Sequence, residues 1–155
     1  MTELDLVIRN GKIATAADVM NCDIGICQGQ IVALAAELPK GTQEIDATDK
    51  LILPGGVDAH CHMDQPMNDG SVMADDFYTG TLSALCGGTT TVIPFACQMK
   101  GNSFKAAVED YHQRATDKAV IDYAFHLIVT DPTPHVLDEE LPELIAKGYT
   151  SFKVY

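Results

Sequence analysis

The sequence predicts an α/β fold, a parallel sheet with helical crossovers preceded by a small β unit. Three observations predict it. From Val57 onward, short apolar strands alternate with helical stretches at a spacing that suits right-handed crossover units. Before Pro54-Gly55-Gly56 there are only short β-prone pieces separated by turn signals. Hydrophobic residues are 46% and charged residues 21% of 155 residues, enough apolar material for a packed core of about one domain.

In order, Leu4 to Ile8 is β-prone, Asn10-Gly11 predicts a two-residue hairpin, and Lys12 to Thr15 is the return strand. Asp23 to Cys27 and Ile31 to Leu34, joined by Gln28-Gly29-Gln30, predict a second hairpin. Glu44 to Ala47 and Lys50 to Leu53 add short pieces, so residues 1–53 form the β unit and 54–155 the βα region. There, Val57 to His62 reads as a strand. Asp75-Asp76 opens a helix to Leu85 that Gly87-Gly88 stops. Thr89 to Ala96 is a strand, and Asn102 or Ser103 caps a helix to Thr116. Ala119 to Val129 is a long strand, Thr133 to Lys147 a helix ended by Gly148, and Tyr149 to Tyr155 a fourth strand.

A doubly wound sheet and a (β/α)8 barrel both fit this alternation. The first strand–helix junction has no GxGxxG, which weighs against a dinucleotide fold. A whole barrel needs roughly 250 residues, so four strands would be half of one.

Charge and composition exclude several function classes. Lys plus Arg is 10 against 22 for Asp plus Glu, a net charge of −12, which repels phosphate backbones and anionic lipid surfaces. The expectation is no nucleic-acid and no membrane partner. With 6% aromatics and no Trp, base-stacking platforms have little material. The longest apolar run, Ile31 to Ala36, falls far short of the roughly 20 residues of a membrane helix. The acidic start, Met1-Thr2-Glu3-Leu4-Asp5, does not read as a secretory signal. Five cysteines, none in CxxC spacing, predict a reduced cytoplasmic protein with buried thiols.

His60-Cys61-His62 lies at the C-terminal end of the first strand of the βα region. Strand alternation points His60 and His62 one way and Cys61 the other. Two imidazoles on one side of a parallel strand's end suit a catalytic metal; two histidines with separate structural roles also fit. Asp58 reads as a loop-fixing or outer-shell carboxylate. His112 and His135 read as surface residues, and His126 as a hydrogen-bonded core histidine.

The stretch Leu51-Ile-Leu-Pro-Gly-Gly-Val-Asp-Ala-His-Cys-His62 resembles the signature of the amidohydrolase superfamily. Val7 to Ile13, Asp75 to Thr81, Gly87 to Thr91 and Ser151 to Val154 narrow the resemblance to the cyclic amidases: dihydropyrimidinases (D-hydantoinases), dihydroorotases and allantoinases. The resemblance implies the first half of a metal-dependent (β/α)8 TIM-like barrel preceded by a small β-sandwich portion. It implies two divalent ions, usually zinc, with His60 and His62 on one and Lys153 bridging both as a CO2-derived carbamate. The reaction implied is ring opening of dihydropyrimidines or hydantoins to N-carbamoyl amino acids by a metal-bridged hydroxide, in a cytoplasmic homotetramer of pyrimidine catabolism. A buried lysine beside two cations loses its proton, and the neutral amine can add CO2. Without the resemblance, Lys153 reads as an exposed or edge-strand lysine.

Dihydroorotases carry an arginine two residues after the second histidine. Asp64 stands there and would repel a substrate carboxylate, so an uncharged ring is expected. Allantoinase- or dihydroorotase-like activity, or a non-catalytic scaffold, are the alternatives; His60, His62 and Lys153 together argue against the scaffold. Met63, Asp64 and Tyr155 are expected near the substrate pocket, and Met63, Met67 and Met73 offer an apolar wall or ordinary packing. The family's remaining metal histidines, catalytic aspartate and oxyanion tyrosine would lie past Tyr155. The expectation is a protein that continues well beyond it, and no hydrolysis by these 155 residues alone.

Overall fold

Strands β1 (Leu6–Ala14) and β2 (Val19–Cys27) pair antiparallel along their whole length, and β3 (Gln30–Ala35) follows β2 through the Gln28-Gly29 turn. Both turn residues have positive φ, 49° and 73°, as a tight hairpin twisted with its strands requires. A computed structural model describes residues 3–67 and 69–154. They form two units, Met1–Pro54 and Gly55–Tyr155. In the first, β4 (Gln43–Asp46) and β5 (Leu51–Ile52) run parallel to β1 along successive parts of its free side. The result is one mixed five-stranded sheet. Ile13, Cys22 and Ile24 form its core. Asp23 is buried, and its carboxylate accepts from Arg9 Nη1 at 2.8 Å, Leu38 N at 3.1 Å and Asn10 N at 3.2 Å.

Asn10-Gly11 is not a hairpin. β1 runs straight through it with one extra residue, a bulge between Ile8 and Gly11, and the chain reverses at 15–18 instead. There the Thr15 hydroxyl accepts from the N–H groups of Ala17 and Asp18. Asn10 takes φ 61°, and a Cβ on Gly11 would stand 2.2 Å from Ile52 Cδ1. The glycine therefore serves close packing rather than reversal.

The second unit is a parallel sheet with helical crossovers: β6 (Gly56–Cys61), α1 (Phe77–Cys86), β7 (Thr89–Cys97), α2 (Phe104–Ala115), β8 (Asp122–Tyr123), β9 (His126–Ile128), α3 (Leu141–Ala146) and β10 (Phe152–Lys153). The spatial order is β10-β9-β7-β6, with β8 also on β7. Asp76 caps α1 by accepting from Tyr78 and Thr79 N–H, and the Ser103 hydroxyl caps α2. Phe77, Val92, Ala96, Phe104, Val108, Tyr111 and Leu127 fill the core that joins helices to sheet.

Three predicted elements are shorter or broken. The strand expected over 119–129 begins at Asp122 and is interrupted at Ala124-Phe125. Residues 118–120 complete the end of α2: Lys118 and Ala119 N–H bond the Ala115 carbonyl, and Val120 N–H bonds the buried Thr81 hydroxyl at 3.1 Å. The helix expected over 133–147 widens to a π-helical turn over Val136–Glu140 before α3. Pro142 has no N–H for the Asp138 carbonyl, and Leu141 N–H reaches back five residues to Val136. The last strand spans only Phe152–Lys153.

Candidate metal centre

Alternation divides the residues of the parallel sheet between two faces. Met63 on one side of the β6 end, with Val92, Ala96, Phe125 and Leu127, packs in the helix-facing core. His60, His62, Phe95, His126, Ser151 and Lys153 have the opposite parity. The β6–β7 pairing shifts between Asp58 and Cys61, which leaves Ala59 and His60 outside the paired register. Bulges of this kind re-aim side chains beside active sites. Asp58 stabilises the irregular backbone by accepting the His60 N–H at 3.0 Å.

Phe95, which is 6% exposed, is the common floor of the inner face. The ring centroids of His60 and His62 each lie 5.0 Å from its centroid, and His62 stacks at 21°. The two imidazole centroids are 5.7 Å apart. Lys153 Nζ lies 4.4 Å from the same Phe95 centroid, from the far strand of the sheet. His60, Phe95, His126 and Lys153 line one open cavity of ≈ 440 Å³.

The ring of His126, 5.1 Å from Phe95, uses both nitrogens. Nε2 is 3.0 Å from the Ala59 carbonyl, and Nδ1 is 2.5 Å from Ser151 Oγ. A carbonyl only accepts, so Nε2 carries the proton and the Ser151 hydroxyl donates to Nδ1. The hydrogen bonding is as the sequence predicts, but the placement is not: the ring is half-buried and lines the open cavity instead of the helix-facing core. His62 Nδ1 is 2.5 Å from Gln65 Oε1.

Met63 and Asp64, expected near the substrate pocket, are turned toward the helices. Met63 is buried, and a Cβ on Gly80 of α1 would stand 3.1 Å from its sulfur. Asp64 is turned toward α2: Arg114 Nη1 donates to its carbonyl at 3.2 Å and lies 3.5 Å from its carboxylate. The charge that would repel a substrate carboxylate is thus paired with a guanidinium. What remains at position 64 is the absence of a cation to attract one. Tyr155 lies outside the described residues. Cys61 faces away from the histidines, as alternation predicts; burial, then the nearby Asp58 charge, pushes its thiol up to about 11. His112 is not a surface residue. It is half-buried, 2.5 Å from the Tyr149 hydroxyl and 5.0 Å from the Phe125 ring, because its face of α2 meets the sheet's aromatics. His135 is exposed, beside Glu139.

Sequence reasoning does not find Phe95, Gln65, Ser151 or Arg114 as parts of the site. Phe95 reads as one more apolar strand residue until pairing aligns it with His126. Imidazole nitrogens suit a divalent transition ion such as zinc, and a lysine amine can serve only once deprotonated or carboxylated. Among the described residues no three His, Cys, Asp or Glu side chains converge; the groups gathered around Phe95 that could serve a metal are the imidazoles of His60 and His62 and the amine of Lys153.

No protein-family model matches the chain. The D-hydantoinase of Geobacillus stearothermophilus is 47% identical over 100% of this chain and 32% of that protein. A solved D-hydantoinase structure superposes with a TM-score of 0.92 at 40% identity, covering 97% of this chain and 33% of the other. The chain is homologous to the hydantoinases. A dihydropyrimidinase of Rattus norvegicus is 37% identical over 97% of the chain. The chain spans about a third of the length of the hydantoinases and dihydropyrimidinases it matches, and corresponds to their N-terminal part. The hydantoinase likeness runs through both units and bears out the expected α/β half-barrel preceded by a β unit.

Proposed function

We propose that this chain supplies the opening part of a metal-dependent cyclic amidohydrolase. The enzyme opens an uncharged dihydropyrimidine or hydantoin ring to an N-carbamoyl amino acid. The observation that carries the reading is the convergence of His60, His62 and Lys153 on the Phe95 ring from opposite edges of one curved sheet. His60 and His62 would hold a divalent ion such as zinc, and Lys153, once carboxylated, would supply an anionic oxygen ligand to the same centre. Such ions, when bound, polarise the scissile amide and acidify water at neutral pH.

The chain's own residues prepare the site. Asp58 fixes the backbone that carries His60. Phe95 gives the donors an apolar floor that excludes water from beneath them. His126 and Ser151 link the backbone beside His60 to the segment that carries Lys153. All five cysteines are free, which suits a reducing cytoplasm. No described helix is long and apolar enough to cross a membrane. Assembly as a homotetramer belongs to the same reading and is checked by light scattering.

The deciding experiment measures metal content of the full-length protein and its hydrolysis of dihydrouracil, hydantoin, allantoin and dihydroorotate. Bound divalent metal with dihydrouracil or hydantoin as best substrate is expected. Dihydroorotate as best substrate would overturn the uncharged-ring assignment, and a metal-free active protein would overturn the mechanism.

A further inference from the structure

We infer that Gln65 is a positioning residue for His62, fixing the imidazole in the tautomer that leaves Nε2 as its metal-binding nitrogen. The inference rests on the metal reading above. An amide carbonyl can only accept, so the 2.5 Å contact from Gln65 Oε1 puts the His62 proton on Nδ1. A neutral imidazole has one such proton, so Nε2 keeps its lone pair. Stacking on Phe95 at 21° sets the plane of the same ring, and the Gln65 bond sets its rotation within that plane. His126 is the contrast. Both its nitrogens are engaged by the protein, and it has none to offer an ion.

Gln65 is itself held in place. Asp64 adopts φ 49°, which folds the chain back so that residue 65 meets the ring three positions earlier. Arg114 secures that turn from α2 through the Asp64 carbonyl. A small hairpin then closes around it: Asp64 N–H bonds the Asp75 carbonyl at 2.8 Å, Met73 N–H bonds the Gln65 carbonyl at 3.1 Å, and Pro66 bridges Val72. A side chain anchored on both flanks can orient a ligand instead of following it.

The test compares Gln65→Leu, similar in size but without an acceptor, with Gln65→Glu, which keeps one. Each is made in the full-length protein. Zinc affinity is measured by chelator competition, and thermal midpoints are taken on metal-free protein. Gln65→Leu should bind zinc about 10–100-fold more weakly with the metal-free midpoint unchanged, and Gln65→Glu should restore affinity. Wild-type protein that binds no zinc would sink the metal reading and this inference with it. Wild-type protein that binds zinc while Gln65→Leu binds it equally well would sink the inference alone. The inference also fails by itself if Gln65→Leu lowers the metal-free midpoint and Gln65→Glu does not restore affinity.

Discussion

Lys153 reaches the Phe95 ring from the strand farthest from the histidines, and a long flexible stem is what that span requires. Truncation leaves nothing in reach. Lys153→Ala in the full-length protein should remove bridging-metal occupancy while leaving His60 and His62 intact. Elemental analysis that still finds two metals per chain would take the lysine out of the site. At this scale much is legible in the sequence. The spacing of His60 and His62 fixes their shared side because strand geometry has period two, and that is a local property. Gln65, Arg114 and Ser151 are not legible as partners. Arg114 and Asp64 are 50 positions apart, and nothing in either residue's neighbourhood names the other. Met63 is readable in principle, since the parity that turns Cys61 outward turns Met63 outward too.

Among the elements, the β6–β7 pair depends on two register irregularities, and each constrains a neighbour. The extra residue in β7 at Thr90 brings its side chain against Gly55, where a Cβ would stand 2.0 Å from Oγ1 and 2.7 Å from Thr90 Cβ. A β-branched residue cannot swing its Cβ away, so Gly55→Ala should cost about 1–3 kcal/mol, read from urea unfolding. The start of α2 depends on a different helix. The buried Glu140 carboxylate accepts from the Ser103 hydroxyl at 2.7 Å and Phe104 N–H at 2.5 Å. Burial acts to raise its titration point, but these donors hold it below its ordinary 4.5. Since the folded value is the lower one, the carboxylate stabilises the fold above about pH 4.5 and that contribution disappears as pH falls through the folded value. Glu140→Gln should flatten the acid limb of a midpoint-against-pH curve; an unchanged limb would show that other groups set it. Helices α1 and α2 are readable from their caps, whereas the π-helical turn ahead of α3 has no cap to announce it. The Asn10-Gly11 turn is not, because its composition suits a left-handed bulge as well as a reversal, and only pairing with β2 decides between them.

For the molecule as a whole, the proposed two-ion centre asks for more donors than the imidazoles of His60 and His62 and the amine of Lys153, so on that reading the 155-residue chain by itself should hydrolyse none of the four ring substrates. Turnover by that piece would refute the assignment of missing ligands to the rest of the full-length protein. The α/β alternation is legible because βα units are local. Doubly wound sheet and barrel cannot be separated on that ground, since the two differ in how the sheet closes. One bond speaks to that difference. Side chains leave a sheet at right angles, so on a flat surface the ring of His126 would stand clear of a strand two places away. It nevertheless meets the Ala59 carbonyl, with β7 lying between. The bond acts as a tie-rod across the hollow of an arch, so the concavity that gathers the imidazoles and the amine is braced from inside.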